Sequence, residues 1–319
     1  MKIVIPDDYQ DCVRTLECFS RLADHEVTVY NDTVRDVETL AERFRDAEAL
    51  VLIRERTPIT DELLERLPRL RLISQTGKGI AHVDLEACTR RGVAVVVGTG
   101  APFAAAELTW GLIIAAMRHI PAEVAAMKAG KWQTRFGTGL RGRTLGIFGY
   151  GKIGSLVAHY GRAFAMRVLV WGREGSLERA AMVGFDTAQS QEDLFARSDV
   201  LSLHLALNEG TRGIVTAAHL EAMKPTALLV NTSRAELIAE SALVEALKAG
   251  RPGMAAVDVY ENEPVRDHPL LHLDNALCTP HLGFVERDGY ELYFGAAFDN
   301  LLAFADGSPR NLANPETVS

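Results

Sequence analysis

The sequence predicts an α/β protein with two doubly wound parallel-sheet domains. Short apolar runs alternate with longer amphipathic stretches along most of the chain, which is typical of β-α-β units. The runs form two sets, separated by a long apolar segment at about residues 103–119. A chain of 319 residues also has the length of two ordinary domains.

Each set of apolar runs predicts one open sheet. The first set is KIVIP (2–6), EVTVY (26–30), ALVLI (49–53), RLISQ (71–75) and VAVVV (93–97). The second set is TLGIFG (144–149), RVLVW (167–171), VLSLH (200–204), ALLVN (227–231), MAAVDV (254–259) and ALCTP (276–280). A helical pattern follows residue 284 without a strand of its own, so this segment could return to the first domain.

Composition narrows the classes of function. The net charge of −8 and the scattered basic residues argue against nucleic acid as a partner. The apolar stretch LTWGLIIAAM is about half the length that crosses a bilayer, and the N-terminus shows no signal-peptide pattern. The four cysteines show neither CxxC nor metal-ligand spacing, so we expect reduced thiols, a cytoplasmic protein and no zinc or magnesium site.

The strongest motif is a glycine-rich turn between an apolar strand and a helical pattern. Gly149, Gly151 and Gly154 have GxGxxG spacing. The first glycine permits the tight turn, the second lets the backbone approach a pyrophosphate, and the third lets the helix pack against the strand. Since strand, turn, helix and next strand occur within about 30 residues, the motif predicts a dinucleotide site.

Three further segments follow strands of the second set, where open α/β sheets bind ligands. They are VNTSRAELI (230–238), AAVDVYENEP (255–264) and CTPHLG (278–283). Together with GYGKIG, they resemble the D-isomer-specific 2-hydroxyacid dehydrogenase family, which includes glyoxylate/hydroxypyruvate reductases and phosphoglycerate dehydrogenases. The resemblance runs through nearly the whole chain, and the sequence is most similar to short members without a regulatory domain. It implies a Rossmann NAD(P)-binding domain at 99–285, inserted into a flavodoxin-like substrate domain at 1–98 plus 286–319.

The resemblance also implies a mechanism, that of a 2-keto acid reductase. Arg234 would bind and polarise the substrate, His281 would exchange a proton with its carbonyl oxygen, and Glu263 would orient the imidazole. Asp258 would lie beside the nicotinamide. Taken singly, Arg234 could be a surface charge, His281 a loop histidine and Glu263 a residue before a proline turn. The remaining coenzyme contacts that the resemblance implies are Gly149, Gly151, Lys152, Ile153, Gly154, Arg173, His204, Leu205, Ala206, Thr232, Ser233 and Gly283.

In the first domain, the resemblance implies a loop that binds the substrate carboxylate. Gly77, Lys78 and Gly79 match this loop, and Arg54 is a second candidate anion contact. Glu55 replaces the usual serine of the family and argues against a phosphorylated substrate. Leu108 and Phe284 make the expected pocket more apolar, so a small or apolar 2-keto acid fits better. Lysine at position 78 also occurs in phosphite-oxidising relatives, which leaves another small oxyanion open.

The stretch LVWGREG (169–175) bears on the choice of coenzyme. NAD-binding folds place an acidic residue about 20 residues beyond the glycine turn, where it accepts hydrogen bonds from the adenosine ribose. This chain has Gly172 there, followed by Arg173, which suits a 2′-phosphate, and by Glu174, which could partly neutralise the arginine. The sequence therefore predicts that NADP is preferred over NAD.

Two predictions concern partners. The apolar segment 103–135, which ends near Trp132, predicts a homodimer interface, although burial between two domains of one chain would give the same composition. The alternative to an enzyme is a nucleotide-sensing binding protein that works through partners, like the corepressors of the same family. The presence of Arg234, Glu263 and His281 together argues against that alternative.

Overall fold

In the computed structural model, which describes residues 1–318, the chain divides into two compact units. One comprises residues 1–101 and 286–319 and the other comprises residues 102–285. The second unit is thus inserted into the first along the chain. The boundary that the sequence predicts at 98/99 lies three residues before the observed one, and Ser319 lies outside the described residues.

The first unit is built on a five-stranded parallel sheet with the order β2-β1-β3-β4-β5, the flavodoxin-like order. Its strands are β1 Lys2–Ile5, β2 Glu26–Val29, β3 Ala49–Leu52, β4 Leu72–Gln75 and β5 Ala94–Val97. Every residue of β3 and β4 is buried, as expected for central strands with helices on both faces. The helices are α1 Val37–Phe44, α2 Asp61–Glu65, α3 Leu85–Arg90 and α11 Arg287–Ala305. Helix α11 packs against β4, and Ser74 Oγ donates to the Ala297 carbonyl at 2.8 Å.

The second unit is built on a seven-stranded parallel sheet with the order β12-β11-β10-β9-β6-β7-β8. Its strands are β6 Thr144–Phe148, β7 Arg167–Trp171, β8 Asp186–Thr187, β9 Val200–Leu203, β10 Leu228–Asn231, β11 Met254–Val257 and β12 Ala276–Cys278. The order contains the dinucleotide-binding pattern 3-2-1-4-5-6, with one more strand at the β12 edge. The predicted two-sheet α/β fold is confirmed, but strand β8 is missing from the prediction because it has only two residues, both exposed.

Seven helices accompany this second sheet. They are α4 Phe103–Met117, α5 Ile120–Lys128, α6 Lys152–Ala163, α7 Glu174–Met182, α8 Gln191–Arg197, α9 Ala217–Ala222 and α10 Ala242–Lys248. Short 3₁₀ segments occur in both units, at Val13–Thr15, Glu17–Leu22, Ala235–Leu237, Pro269–His272 and Pro315–Val318. Within residues 1–318, no single helix is long and apolar enough to cross a membrane; only α4 and α5 taken together, with a bend of 60° between them, have that length and composition.

Helix α4 is apolar all round, and most of its residues are buried in the second unit. The segment that follows it has apolar side chains in solvent. Met127 is 64%, Trp132 is 76% and Phe136 is 98% exposed. The chain turns at the end of α5 through Gly130, whose φ of +75° favours glycine. Residues 120–136 therefore form an apolar arm on the surface of this unit.

Candidate active site

The glycine turn joins β6 to α6 at the point where the strand order reverses. Gly149 has a φ of +99°, and a Cβ atom there would lie 2.7 Å from the carbonyl oxygen of His204. Gly151 is the N-cap of α6, and none of the described residues places an atom within 4 Å of its Cβ position. The turn thus leaves open space at the start of α6, where Lys152 and Ile153 begin the helix, and a pyrophosphate fits such a space.

The loop after β9 lies against the glycine turn. His204 is partly buried, its Nε2 lies 2.9 Å from Ser202 Oγ, and its buried Nδ1 has no hydrogen-bond partner among the described residues. Burial disfavours the charged imidazole and lowers the pKa of His204 to about 4. Leu205 also approaches the turn, and the Ala206 carbonyl accepts from Thr211 Oγ1 at 2.7 Å. An open glycine turn beside a neutral imidazole with an unpartnered nitrogen fits a bound dinucleotide.

The corner after β7 contains the predicted coenzyme discriminator. The Trp171 carbonyl accepts from the Gly149 amide at 2.8 Å, so this strand end is joined to the glycine turn. A Cβ atom at Gly172 would lie 3.7 Å from the Gly149 Cα. Arg173, the N-cap of α7, is exposed. The corner therefore presents a basic side chain and no carboxylate at position 172.

The loop after β10 holds Arg234. Asn231, the last residue of β10, is buried; its Nδ2 donates to the Arg234 carbonyl at 2.8 Å and its Oδ1 accepts from the Ser233 amide at 3.0 Å. Ser233 Oγ donates to the Leu203 carbonyl at 2.8 Å, and Thr232 Oγ1 lies 2.7 Å from Thr109 Oγ1. These bonds fix the backbone that carries the Arg234 guanidinium. Asn231 thus positions the loop, a role that its place at the end of an apolar strand does not indicate.

The loop after β12 brings His281 to Glu263. The imidazole Nδ1 of His281 lies 2.6 Å from Glu263 Oε2, and the other carboxylate oxygen accepts from the Tyr260 amide at 3.0 Å. His281 has a φ of +52°, a conformation that few residues other than glycine adopt. The buried ring of Phe284 lies edge-on to the imidazole, with centroids 5.5 Å apart. Since Nδ1 is engaged by the carboxylate, Nε2 is the nitrogen that can exchange a proton with a ligand.

The electrostatics of this pair favour an ionised carboxylate. Burial alone would raise the pKa of Glu263. The hydrogen bond and charge of His281, the Tyr260 amide and the charge of Arg234 together outweigh burial, so the pKa of Glu263 lies below its ordinary value. An ionised Glu263 can therefore fix the ring orientation of His281 and stabilise its charged form.

Asp258 holds the loop that carries His281. The side chain is fully buried; Oδ1 accepts from Thr279 Oγ1 at 2.7 Å and from the Leu282 amide at 2.8 Å, while Oδ2 accepts from the Gly283 amide at 2.9 Å. Burial raises the pKa of Asp258, although these bonds oppose the shift. Asp258 thus positions the loop on both sides of His281, and its predicted contact with the nicotinamide stays a prediction.

In the first unit, the loops after β3 and β4 meet. Gln75 Nε2 donates to the Arg54 carbonyl at 2.8 Å and to the Gly79 carbonyl at 2.9 Å, so one buried amide joins both loops. A Cβ atom at Gly77 would lie 2.6 Å from Arg54 Nη1, and the Arg54 guanidinium carbon lies 5.9 Å from the Tyr293 ring centre. The Arg54 side chain therefore lies over the predicted anion loop. In the sequence, Gln75 is an ordinary residue at the end of a strand, and nothing there indicates this bridging role.

Opposite charges surround the same loop. The Glu55 carboxylate lies over Gly79, where it occupies the position that a Cβ atom would need. Lys78, between the two glycines, is exposed. The loop thus combines two basic side chains with one acidic side chain. Among residues 1–318, no group of three or more His, Cys, Asp and Glu side chains is arranged to hold a metal ion.

Comparison with known proteins assigns this arrangement to a family. Residues 110–283 match the model of the D-isomer specific 2-hydroxyacid dehydrogenase NAD-binding domain. A glyoxylate reductase of Aeropyrum pernix is 40% identical over 88% of this chain and 87% of its own length. An oxidoreductase from Ralstonia solanacearum, with D-3-phosphoglycerate dehydrogenase in its name, is 57% identical, covers 100% of this chain and 98% of its own, and has a TM-score of 0.98. A phosphoglycerate oxidoreductase from Vibrio cholerae is 54% identical over 96% of this chain and 99% of its own, with a TM-score of 0.94.

Proposed function

Because the chain belongs to the D-isomer-specific 2-hydroxyacid dehydrogenase family, an NAD-binding oxidoreductase family, we propose that it works mainly as a 2-keto acid reductase in which Arg234, His281 and Glu263 are the catalytic residues. The observation that carries this proposal is the 2.6 Å hydrogen bond between His281 and Glu263. The relatives named above are a reductase and two oxidoreductases, which favours an enzyme over a nucleotide-sensing binding protein.

The proposed mechanism assigns one task to each side chain. When bound, the reduced nicotinamide supplies a hydride to the carbonyl carbon of the substrate. Arg234 binds the carboxylate and the carbonyl oxygen with its planar donors and so polarises the carbonyl. His281 donates the Nε2 proton to that oxygen as it gains negative charge, which gives the hydroxyl group of the product. Glu263 stabilises the imidazolium before the transfer and orients the ring.

We further propose that the substrate is a small 2-keto acid without a phosphate group, such as glyoxylate or hydroxypyruvate. The names of the relatives point to both glyoxylate and phosphoglycerate. Arg54 and the loop 77–79 supply the anion contacts. The Glu55 carboxylate over Gly79 would repel a second anionic group on the substrate, which argues against phosphoglycerate. Lys78 adds a positive charge, so a small inorganic oxyanion is included in the test below.

The proposed coenzyme is NADP in preference to NAD. An acidic residue at position 172 would repel a 2′-phosphate, but glycine occupies that position. Arg173, exposed beside it, can form charge-assisted hydrogen bonds to a phosphate dianion. Glu174 is exposed at the first position of α7 and weakens this attraction without restoring an acid at the ribose position.

The apolar arm at residues 120–136 supports a homodimer, with the segment 103–135 at its interface. Large side chains such as Trp132 and Phe136 are mostly exposed in the single chain, and apolar surface of this kind marks protein contacts. We also propose a cytoplasmic location. All four cysteines are free thiols, as expected for a reducing compartment.

A spectrophotometric screen tests the proposed function. Glyoxylate, hydroxypyruvate, pyruvate and 3-phosphohydroxypyruvate are mixed with enzyme and NADPH or NADH, and oxidation of the coenzyme is followed; phosphite with NADP⁺ or NAD⁺ is run in the opposite direction. We expect the highest kcat/KM with an unphosphorylated 2-keto acid and, where the product is chiral, the D-hydroxy acid. Higher kcat/KM with the phosphorylated acid or with phosphite would overturn the substrate assignment. Tight coenzyme binding without any turnover would favour the binding protein.

A further inference from the structure

A second arginine lies beside the coenzyme corner. Arg179 is on α7, and its Nη2 donates to the Tyr150 carbonyl at 3.3 Å and to Ser176 Oγ at 3.2 Å. Tyr150 is the middle residue of the glycine turn. The Arg179 side chain thus reaches back from the helix to the backbone between Gly149 and Gly151.

The contacts of Ser176 connect Arg179 to Gly172. A Cβ atom at Gly172 would lie 3.5 Å from the Ser176 Cβ and 3.7 Å from the Gly149 Cα. The Arg179 guanidinium, the serine hydroxyl, the glycine corner and the glycine turn are therefore contiguous. In dinucleotide-binding folds, the residue at the Gly172 position contacts the ribose hydroxyls of adenosine. Arg179 lies on the side of α7 that faces Gly172, since it bonds to Ser176.

The guanidinium has donors to spare. Both contacts use Nη2, and among the described residues neither Nη1 nor Nε of Arg179 has a hydrogen-bond acceptor. Nη1 lies 3.6 Å from the position that a Cβ atom of Gly175 would occupy, so the absence of a side chain at residue 175 leaves this edge open. Arg179 is also exposed, which lets an anion reach it from solvent.

We propose that Arg179 is a second residue that determines coenzyme specificity, and that it binds the 2′-phosphate of NADP together with Arg173. Ser176 holds the guanidinium by accepting from Nη2, while Nη1 and Nε donate to the phosphate oxygens. The proposal rests on the NADP preference proposed above. Residues 173–179 also contain Glu174 and Glu178, so the preference for a phosphate dianion comes from the directed donors of the two arginines and not from a net charge.

A structural role predicts a different outcome. The bond from Arg179 to the Tyr150 carbonyl connects α7 to the glycine turn, and loss of that bond alone would disturb every dinucleotide equally. A role in specificity instead affects only ligands that carry the 2′-phosphate. The two roles are therefore separated by a pair of ligands that differ only in that group.

Isothermal titration calorimetry of 2′,5′-ADP and of 5′-AMP provides this pair. For the wild type we expect tighter binding of 2′,5′-ADP. Arg179→Gln should weaken 2′,5′-ADP by about 10-fold or more, as expected when a charged hydrogen bond is lost. The same variant should change the affinity for 5′-AMP by less than about twofold, since 5′-AMP lacks the phosphate that Arg179 binds. Arg179→Lys, which keeps the charge, should lie between the wild type and Arg179→Gln.

The control is Arg197→Gln on α8, where Arg197 is exposed and paired with Asp193 at 2.8 Å. It removes the same charge, and we expect neither ligand to respond. The proposal is overturned if Arg179→Gln weakens both ligands alike, if it leaves 2′,5′-ADP unchanged, or if Arg197→Gln has an equal effect. A wild type that binds 2′,5′-ADP no tighter than 5′-AMP overturns the NADP preference itself, and this proposal with it. Intact discrimination by Arg179→Gln overturns this proposal alone.

Discussion

The imidazole Nδ1 of His281 lies 2.6 Å from Glu263 Oε2. The buried carboxylate of Asp258 holds the loop that carries His281 by accepting hydrogen bonds from two backbone amides of that loop. The pair combines a proton donor with a fixed negative charge. Because the ring is hydrogen-bonded to Glu263 through Nδ1, Nε2 is the nitrogen that is left for proton transfer to a substrate.

Removal of the negative charge at Glu263 should slow reduction. Glu263→Gln keeps the size of the side chain but removes the charge that orients the imidazole of His281. We expect kcat to fall by about 10-fold or more, while the dissociation constant of NADPH changes by less than about twofold. Steady-state kinetics and titration of the coenzyme measure the two quantities. An unchanged kcat would show that Glu263 does not act through His281.

The same substitution has a consequence for stability. The pKa of Glu263 is lower in the folded protein, so folding favours its ionised form; this contribution is present above the unfolded pKa and is lost as pH falls through the folded pKa. The free energy of unfolding of the wild type, relative to that of Glu263→Gln, should therefore decrease as pH falls from about 5 to about 3. Urea unfolding of both proteins at several pH values measures this difference in free energy. An increase of the difference as pH falls over this range would contradict the lowered pKa of Glu263.

Arg234→Lys should impair both substrate binding and turnover. Lysine keeps the charge but loses the planar pair of donors that matches a 2-keto acid. We expect KM to rise and kcat to fall, with a loss of about 10-fold or more in kcat/KM. Arg212→Lys is the matched control, since Arg212 is an exposed arginine whose Nη1 lies 3.9 Å from Glu236 Oε1. A change confined to thermal stability, with kinetics intact, would remove Arg234 from the mechanism.

Coenzyme preference should respond to two substitutions at the β7 corner. Arg173→Ala should lower kcat/KM with NADPH by about 10-fold and spare NADH, because only NADPH carries the phosphate. Gly172→Asp should reverse the preference, since a Cβ atom there makes only ordinary contacts of 3.5 Å or more. Steady-state kinetics with both coenzymes measure the ratio. If the wild type prefers NADH, or if Arg173→Ala weakens both coenzymes alike, Arg173 does not contact the 2′-phosphate.

The apolar arm should hold two chains together. Light scattering at micromolar concentration should give about twice the chain mass of 34.9 kDa. The double variant Trp132→Glu and Phe136→Glu should give a monomer, because burial of charges without partners is costly. Met182→Glu, at an 86% exposed methionine outside the segment, should stay dimeric. A wild type that is monomeric at this concentration would contradict the interface.

Much of the fold could be predicted from sequence because strands buried on both faces are short apolar runs. All five strands of the first sheet, and six of the seven in the second, coincide with such runs. The glycine turn was also predictable, since glycine is required where the backbone of Gly149 lies close to the backbone of His204. Strand β8 was not, because it has no apolar signal.

Parts of the site were out of reach because they depend on contacts between distant segments. Nothing near Asn231 in the sequence indicates that its side chain bonds to two residues of the loop it precedes. Gln75 joins two loops about 20 residues apart, as its bond to the Arg54 carbonyl shows. Arg179 reads as one charge on an amphipathic helix, and only the bond to Tyr150 reveals its direction.

The proposed role of His281 as proton donor is tested most directly by the turnover of His281→Gln with hydroxypyruvate and NADPH, with the dissociation constant of NADPH measured on the same samples. We predict that kcat falls by about 10²- to 10⁴-fold, the usual cost of losing a general acid, while the NADPH dissociation constant changes by less than about twofold. Undiminished kcat, or a loss fully explained by weaker coenzyme binding, would contradict the role of His281 as proton donor.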